Sequence, residues 1–397
     1  MPTVQATTRP FTTQGPEALD AESFLADLKA IRAEIDASLG EVDLAHLRKI
    51  ERIGWAATGL GLATAWVAPN PFSMAALSLG RTTRWLLMHH IGHRGYDKVP
   101  NVPARWTSKV FARGARRFVD FPDWILPEAW IYEHNVLHHS HTGEDRDPDL
   151  IERNVESLRA SQRPKFVKYG VLIALATSWR FAYYAPVTLK TWLARHDKTK
   201  NSAELTDPWR DILLRCWLPY AAREFVLLPA AFLALGPWAA GSVLANSLGA
   251  EVLTNLHTFG VVGPNHTGND LYRFASAPRS RAEGVLRQVL GTANYAVGGD
   301  VTDLAHMWLN YQIEHHLWPD LPLLRYREVQ PKVKALCAKY GIPYVQESVF
   351  TRIGKMLAVA VGEASMKREG PQGPADTAFH AAPPSPPDVD AQLAPAS

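Results

Sequence analysis

The chain has 397 residues, 13 of them Trp, and a formal net charge of +3, which leaves no electrostatic footprint for nucleic acid. Its two cysteines, Cys216 and Cys337, are far apart and form no Cys-x-x-Cys motif, so no disulfide framework is expected. Residues 1–20 lack the apolar core of a cleavable signal peptide.

Residues 1–19, rich in Thr, Pro and Gln, are expected to be disordered. Residues 20–51 mix Leu, Ile and Ala with charges at helical spacing, which predicts a cytoplasmic amphipathic helix. The run from Ile53 to Gly80 carries no charge and is broken by Pro69-Asn70-Pro71. It is longer than the about 20 residues one span needs. Basic residues flank it: Arg48, Lys49 and Arg52 before, Arg81, Arg84 and Arg94 after. The positive-inside rule then predicts a hairpin, spans about 53–68 and 72–92, with both ends cytoplasmic; one kinked span is the alternative. Arg81 and Arg84 fall early for a full crossing, so the second leg is short or they face the bundle interior.

The first histidine cluster, His89-His90-Ile91-Gly92-His93, follows directly. His89 and His93 stand at i and i+4 and share a helix face, whereas His90 points elsewhere. Residues 104–117 carry Arg105, Lys109, Arg113, Arg116 and Arg117 with Trp106 and Phe111 and no acid. They read either as a segment on anionic headgroups or as a solvated face. The second cluster is His134-Asn135-Val136-Leu137-His138-His139, again with an i, i+4 pair. The stretch Gly143-Glu144-Asp145-Arg146-Asp147-Pro148-Asp149 reads first as solvated loop charge, and second as carboxylates that orient imidazoles. Residues 169–189 are apolar but interrupted by Arg180, which predicts an interfacial or re-entrant segment.

Phe225 to Ala250 is a second charge-free run, split by Gly236-Pro237, and predicts spans about 213–235 and 238–262. Arg215, Arg223, Glu224 and Glu251 in or near these legs are functional candidates or snorkelling ends. Two spans here return the chain to the side of the first two clusters. His257 and His266 follow, and His306 reads as packing near the third cluster, where Gln312, His315 and His316 stand at i, i+3 and i+4. Residues 346–370 are expected to hold a C-terminal helix, and the Pro-rich residues 371–397 a disordered tail.

Most of the 15 histidines lie in these clusters, which together offer enough nitrogen donors for two metal ions. No cysteine is near, which argues against thiolate zinc and iron–sulfur chemistry; imidazole-rich ligation suits iron, zinc, copper or nickel. The clusters resemble the three histidine boxes of the membrane fatty acid desaturase and hydroxylase family. Asn310-Tyr311-Gln312-Ile313-Glu314-His315-His316-Leu317-Trp318-Pro319-Asp320-Leu321-Pro322 is similar to the Gln-containing third box of front-end and related lipid desaturases. The likeness continues through Val333–Cys337 and Tyr340–Tyr344 and covers roughly residues 50–345.

The resemblance implies an all-α, polytopic fold: two transmembrane hairpins (four spans) and a helical cytoplasmic cap, with the desaturase domain at 52–345. It implies two iron ions held by His89, His93, His134, His138, His139, His266, Gln312, His315 and His316, and no further catalytic or cofactor-binding residue. His266-Thr267-Gly268-Asn269-Asp270-Leu271-Tyr272 is similar to a His-x-Gly-x-x-x-Tyr stretch that carries a ligand in relatives, which favours His266 over His257. His141 has no counterpart among the family's ligands. Gln312 stands where other branches have histidine, and ligation directly or through water are both open. The implied reaction is O2-dependent insertion of a cis double bond into a fatty acyl lipid, at the cytoplasmic face of an integral, multi-pass membrane enzyme. The sequence has no haem, flavin or iron–sulfur signature, so the electrons are expected from an external ferredoxin or cytochrome with its reductase. One alternative is a hydroxylase or other oxygenase on a lipid, sterol, carotenoid or alkane. A distant one is a His-rich membrane metal-binding or transport protein, which would want polar groups near the bilayer midplane rather than at span ends.

Overall fold

The structure, a computed structural model, describes residues 20–195 and 208–369. The expected disordered ends, 1–19 and 371–397, lie outside the described residues. Helix α1 (Ala21–Ala37) is capped by Asp20, whose carboxylate accepts from Ser23 N at 2.9 Å. It ends at Ser38, so the single helix expected over 20–51 is two helices. The second, α2 (Glu41–Ala65), runs on into the first apolar segment. The break has a local cause. Gly40 starts α2, Asp43 accepts from Gly40 N at 2.9 Å, and buried Arg325 grips Asp43 and the Ser38 carbonyl.

Helix α3 (Pro71–Gly92) returns antiparallel to α2, with Pro71 in its first turn and Asn70 accepting from Ser73 N at 2.8 Å. The two helices approach closely because glycines line the contact. A Cβ on Gly54 would lie 2.7 Å from Thr83 Cγ2, and one on Gly80 would collide with Thr58. Trp106 and Phe111 of the basic stretch 104–117 are buried in the main core, so its aromatic side faces the protein.

Helix α4 (127–141) carries the second histidine cluster and is wound as a π-helix over Ile131–His138. The stretch 169–189, expected as an interfacial or re-entrant segment, lies in helix α5 (165–194), which is continuous through Arg180. Arg180 is tolerated because it is fully buried and paired, not because it reaches water. Helix α6 spans Trp209–Leu235, Gly236 turns the chain at φ +102°, and α7 (Pro237–Val262) returns. Four spans are expected from the sequence. Among the described residues α6 alone is long and apolar enough to cross a membrane by length and composition. The others carry polar groups in their interiors: Arg81 and the histidines in α3, Asn246, Glu251 and Asn255 in α7.

Helices α8 (Arg281–Leu290), α9 (Gln312–Leu317) and α10 (Leu323–Lys339) pack with α1 over one end of the bundle, and α11 (Val349–Val361) follows. Among the described residues the fold is mostly helical, and against the all-α expectation β1 (Tyr272–Phe274) and β2 (Lys367–Glu369) pair in parallel, Tyr272 opposite Lys367.

Candidate metal centre

The three histidine clusters meet in the core. His89 and His93 come from the end of α3, His134 from α4 and His315 from α9. One ring nitrogen of each lies within 4.8 Å of the others, and all four residues are buried. His89 Nε2 is 3.0 Å from His315 Nε2 and 3.2 Å from His134 Nε2. A second buried group joins His138, His266 and His316 by the same measure. Gln312 Nε2 stands 2.9 Å from His266 Nε2. His139 lies between the groups, its ring centroid 4.5 Å from that of His93 and stacked at 4.2 Å on that of His316.

This donor set fits two metal ions. His93 Nε2, His316 Nε2 and both nitrogens of His139 are buried without a hydrogen-bond partner. Orphaned buried polar atoms cost about 1–3 kcal/mol each, and several converging in one place imply a common ligand. Burial first, and then neighbouring imidazoles, push His93, His139, His315 and His316 well below the usual histidine range. His134 is pushed down to about 4, chiefly by burial. Neutral imidazoles are the form that binds metal. The Nε2 atoms of His89, His134 and His315, about 3 Å apart in the two pairs above, are close enough to share one ion at metal–nitrogen bonds of about 2.1 Å.

The far nitrogens of the rings are held from behind. His138 Nδ1 lies 2.8 Å from Asp147 Oδ1. Burial opposes charge on His138, but Asp147 and Asp149 outweigh it and raise the ring's basicity. Nδ1 therefore keeps its proton toward the carboxylate and Nε2 offers its lone pair. His316 Nδ1 is 2.8 Å from Gln288 Oε1, and His315 Nδ1 is 3.2 Å from the Tyr326 hydroxyl, which donates to Trp318 O. Glu314 faces the other way, accepting from Asn294 and Tyr344, and burial pushes its carboxyl up to about 7. Just before α9, Met307 and Trp308 both adopt left-handed backbone, φ +54° and +58°, while buried in the core. Such residues cost of order 1–3 kcal/mol each, and here they swing α9 into the cluster.

Of the residues expected as ligands, the structure brings His89, His93, His134, His138, His139, His266, Gln312, His315 and His316 together. His257 lies outside both groups, its Nε2 on the Ala305 carbonyl at 2.6 Å. His141 pairs with Glu144, and His306 bonds the Thr302 carbonyl. His90 is buried, its ring stacked on His89. In the acidic stretch after the second cluster the second of the two readings holds for Asp147, which is 1 % exposed and turned onto His138, while Asp145 is exposed as the first reading has it. Sequence reading also passed over Glu133, Gln288, Tyr326 and Glu314. Glu133 is fully buried beside His134, and burial, then Asp149 and Asp147, push its carboxyl well above the carboxylate range. For Asp147 the sequence signal is Gly143 ahead of Asp147-Pro148, turn residues that fold the acids back.

A cavity of about 220 Å³ opens from this cluster. His89, His134, His138, His266 and Gln312 line its metal-site end with Asp149 close by, and most of the remaining wall is apolar, from α5, α7 and α11 (among them Leu172, Trp179, Phe259 and Met356) together with Trp85 of α3, Ile151 and Val155.

Comparison with known proteins agrees. The chain is similar to the NADPH-dependent stearoyl-CoA 9-desaturase of Mycobacterium tuberculosis, 24% identical over 375 residues, which covers 85% of this chain and 78% of that protein. Fatty acid desaturase 3 of Bos taurus is 24% identical over 343 residues, 83% of this chain and 71% of its own length. The acyl-lipid (7-3)-desaturase of Diacronema lutheri is 31% identical over 237 residues, 56% of this chain and 50% of its own length. A model of the fatty acid desaturase family matches residues 64–348, and the chain, an oxidoreductase with its histidine boxes folded into one buried cluster, belongs to that family.

Proposed function

We propose that the enzyme inserts a cis double bond into a fatty acyl chain in an O2-dependent reaction at two iron ions. One ion is held by His89, His93, His134 and His315, the other by His138, His266, His316 and Gln312, with His139 between. The observation that carries this reading is the convergence of the three boxes into two buried groups at the head of an apolar cavity. When bound, the iron pair supplies activation of dioxygen and removal of hydrogen from an unactivated C–H bond, which has no acidity for a base to exploit.

The chain's own residues do the rest. The apolar walls hold the acyl chain, each buried methylene contributing about 0.8 kcal/mol, and fix which carbon faces the metals. Trp85, Trp179 and Phe259 exclude water from that surface. Asp147, Gln288 and Tyr326 hold the outward ring nitrogens, so the inward lone pairs stay aimed. Half a turn of the Gln312 amide brings its Oε1, buried and without a partner, toward His266 as a direct or water-bridged ligand. Two electrons per turnover come from outside, through a ferredoxin or cytochrome and its reductase. The mycobacterial relative's name specifies NADPH dependence, which supports NADPH as the ultimate source here.

We read the enzyme as integral and multi-pass, its spans near 53–68, 72–92, 213–235 and 238–262 and its active site on the cytoplasmic face. Leu60, Val67, Phe72, Leu233, Leu235 and Trp238 cluster around the turns of the two hairpins and are strongly exposed, which supports lipid around that end. Expression in a host of known lipid content, with fatty acid profiling by mass spectrometry, tests the reaction. A new unsaturated product is expected from the native chain and none from His315→Ala. Label from dioxygen found in the product would instead favour a hydroxylase.

A further inference from the structure

The apolar cavity is walled on one side by a part of the chain beyond the family match. Helix α11 begins at Val349, directly after the matched stretch 64–348. It gives the cavity Met356, Leu357 and Ala360, which share one helix face. The helix sits close against the last turn of α7 and the segment that follows it, because glycine leaves it room. A Cβ on Gly263 would lie 2.8 Å from Met356 Sδ, and one on Gly260 would lie 3.6 Å from Ile353 Cδ1. Leu357 and Ala360 pack with Leu172 and Val155 in a small apolar cluster distinct from the main core. The cavity is lined by both, so α11 forms the outer wall.

That wall is fixed in place. Arg352, fully buried, donates to Asp270 at 2.6 Å and to the Thr267 carbonyl at 3.0 Å. Lys168, itself buried, donates to the Val361 carbonyl at 3.1 Å, and β2 locks the following residues onto β1. Arg352 thus grips the loop that presents His266, so one helix both shapes the cavity and steadies that loop.

We propose that α11 measures the substrate: Met356 and Ala360 set the length and path of the acyl chain the enzyme accepts. This rests on the cavity being the acyl site. A larger residue at Ala360 fills the space facing Leu172, whereas a smaller one at Met356 opens space beside Gly263.

The test uses full-length Ala360→Phe and Met356→Ala in the same host, with iron content measured for each. Binding of a ladder of saturated fatty acids to the purified proteins is measured alongside. For Ala360→Phe the product profile is expected to move to shorter chains, with affinity for the longest fatty acids falling about fourfold per methylene excluded. Met356→Ala is expected to shift both readouts the other way. A variant that fails to fold or load iron is replaced by Ala360→Leu or Met356→Val, which change volume less. Iron-loaded variants that keep the native length profile and binding ladder would overturn the proposal while leaving the desaturase reading intact. A native chain that forms no double bond at all would overturn the reading itself, and this inference with it.

Discussion

Asp147 accepts from Gly143 N and Asp149 N at 2.8 Å each, and those two bonds curl the acidic stretch inward until its carboxylate meets His138. In the sequence the same residue sits among Glu144, Asp145 and Asp149, where a run of acids reads as a wet loop. The histidines were legible because helical spacing of i and i+4 is itself a geometric statement. A carboxylate behind an imidazole has no such spacing and depends on how a loop closes. The site therefore shows its inner ring in the sequence, offers the carboxylate behind it only as the second of two readings of residues 143–149, and hides Gln288 and Tyr326. Replacing a group that orients a ligand imidazole costs about 10–100-fold in metal affinity. Asp147→Asn is expected to lower iron affinity by about that factor, measured by competition with a chelator, while circular dichroism keeps its helical signal. Unchanged affinity would mean the carboxylate serves the loop alone.

At the level of elements, the two long helical hairpins and their turns are legible in the sequence, but the finer breaks and windings are not. Pro69-Asn70-Pro71 and Gly236-Pro237 announce turns, and the structure turns at both. The break at Ser38–Gly40 is hard to see in the sequence because a helical charge pattern continues across it; only Gly40 followed by Asp43 marks a new helix start. The π-winding of α4 has no periodic signature either. It brings His139 N onto the His134 carbonyl, five residues back, and turns three imidazoles of one element toward the cluster. The α2–α3 hairpin is set by contact rather than by pattern. Gly54 and Gly80 let the helices touch, and α3 carries His89 and His93 at its far end. Gly80→Val is expected to push the helices apart and destabilise the fold by about 1–3 kcal/mol, seen as a lower melting temperature in detergent. Gly59, with nothing near its Cβ position, is the control and should tolerate alanine.

Across the whole molecule, the buried charges tie the bundle together. Sequence reading singled out Arg81, Arg84, Arg215, Arg223, Glu224 and Glu251 without being able to pair them. The structure sorts them. Arg215 stays at the surface on Asp211, and Arg84 lies over the Trp55 ring. Arg81 of α3 reaches Glu224 of α6 at 2.8 Å and Glu251 of α7 at 3.4 Å. Arg180 of α5, which looked like an interruption, completes the network on Glu251 at 2.5 Å and on Asp123. Tyr220 and Trp124 also donate to Glu251, so one carboxylate joins α5, α6, α7 and the segment before α4. No one-dimensional pattern encodes this, because each partner sits on a different helix. Removing one member of a buried ion pair leaves its partners uncompensated and costs about 3–5 kcal/mol, more than a surface pair contributes. Glu251→Gln keeps shape and most hydrogen bonds but strips the charge that Arg180 and Arg81 share. It is expected to lower stability by that amount, and with it iron retention, because α3 runs from Arg81 to the first histidine box without a break. A double change, Arg81→Met with Glu224→Leu, removes both members of the closest pair while Glu251 keeps Arg180 and the half-exposed Arg223 is left to solvent, and it should be milder than Glu251→Gln by thermal melting. If Glu251→Gln instead melts with the native protein, the glycine contacts of the first hairpin, not the charges, hold the helices in register.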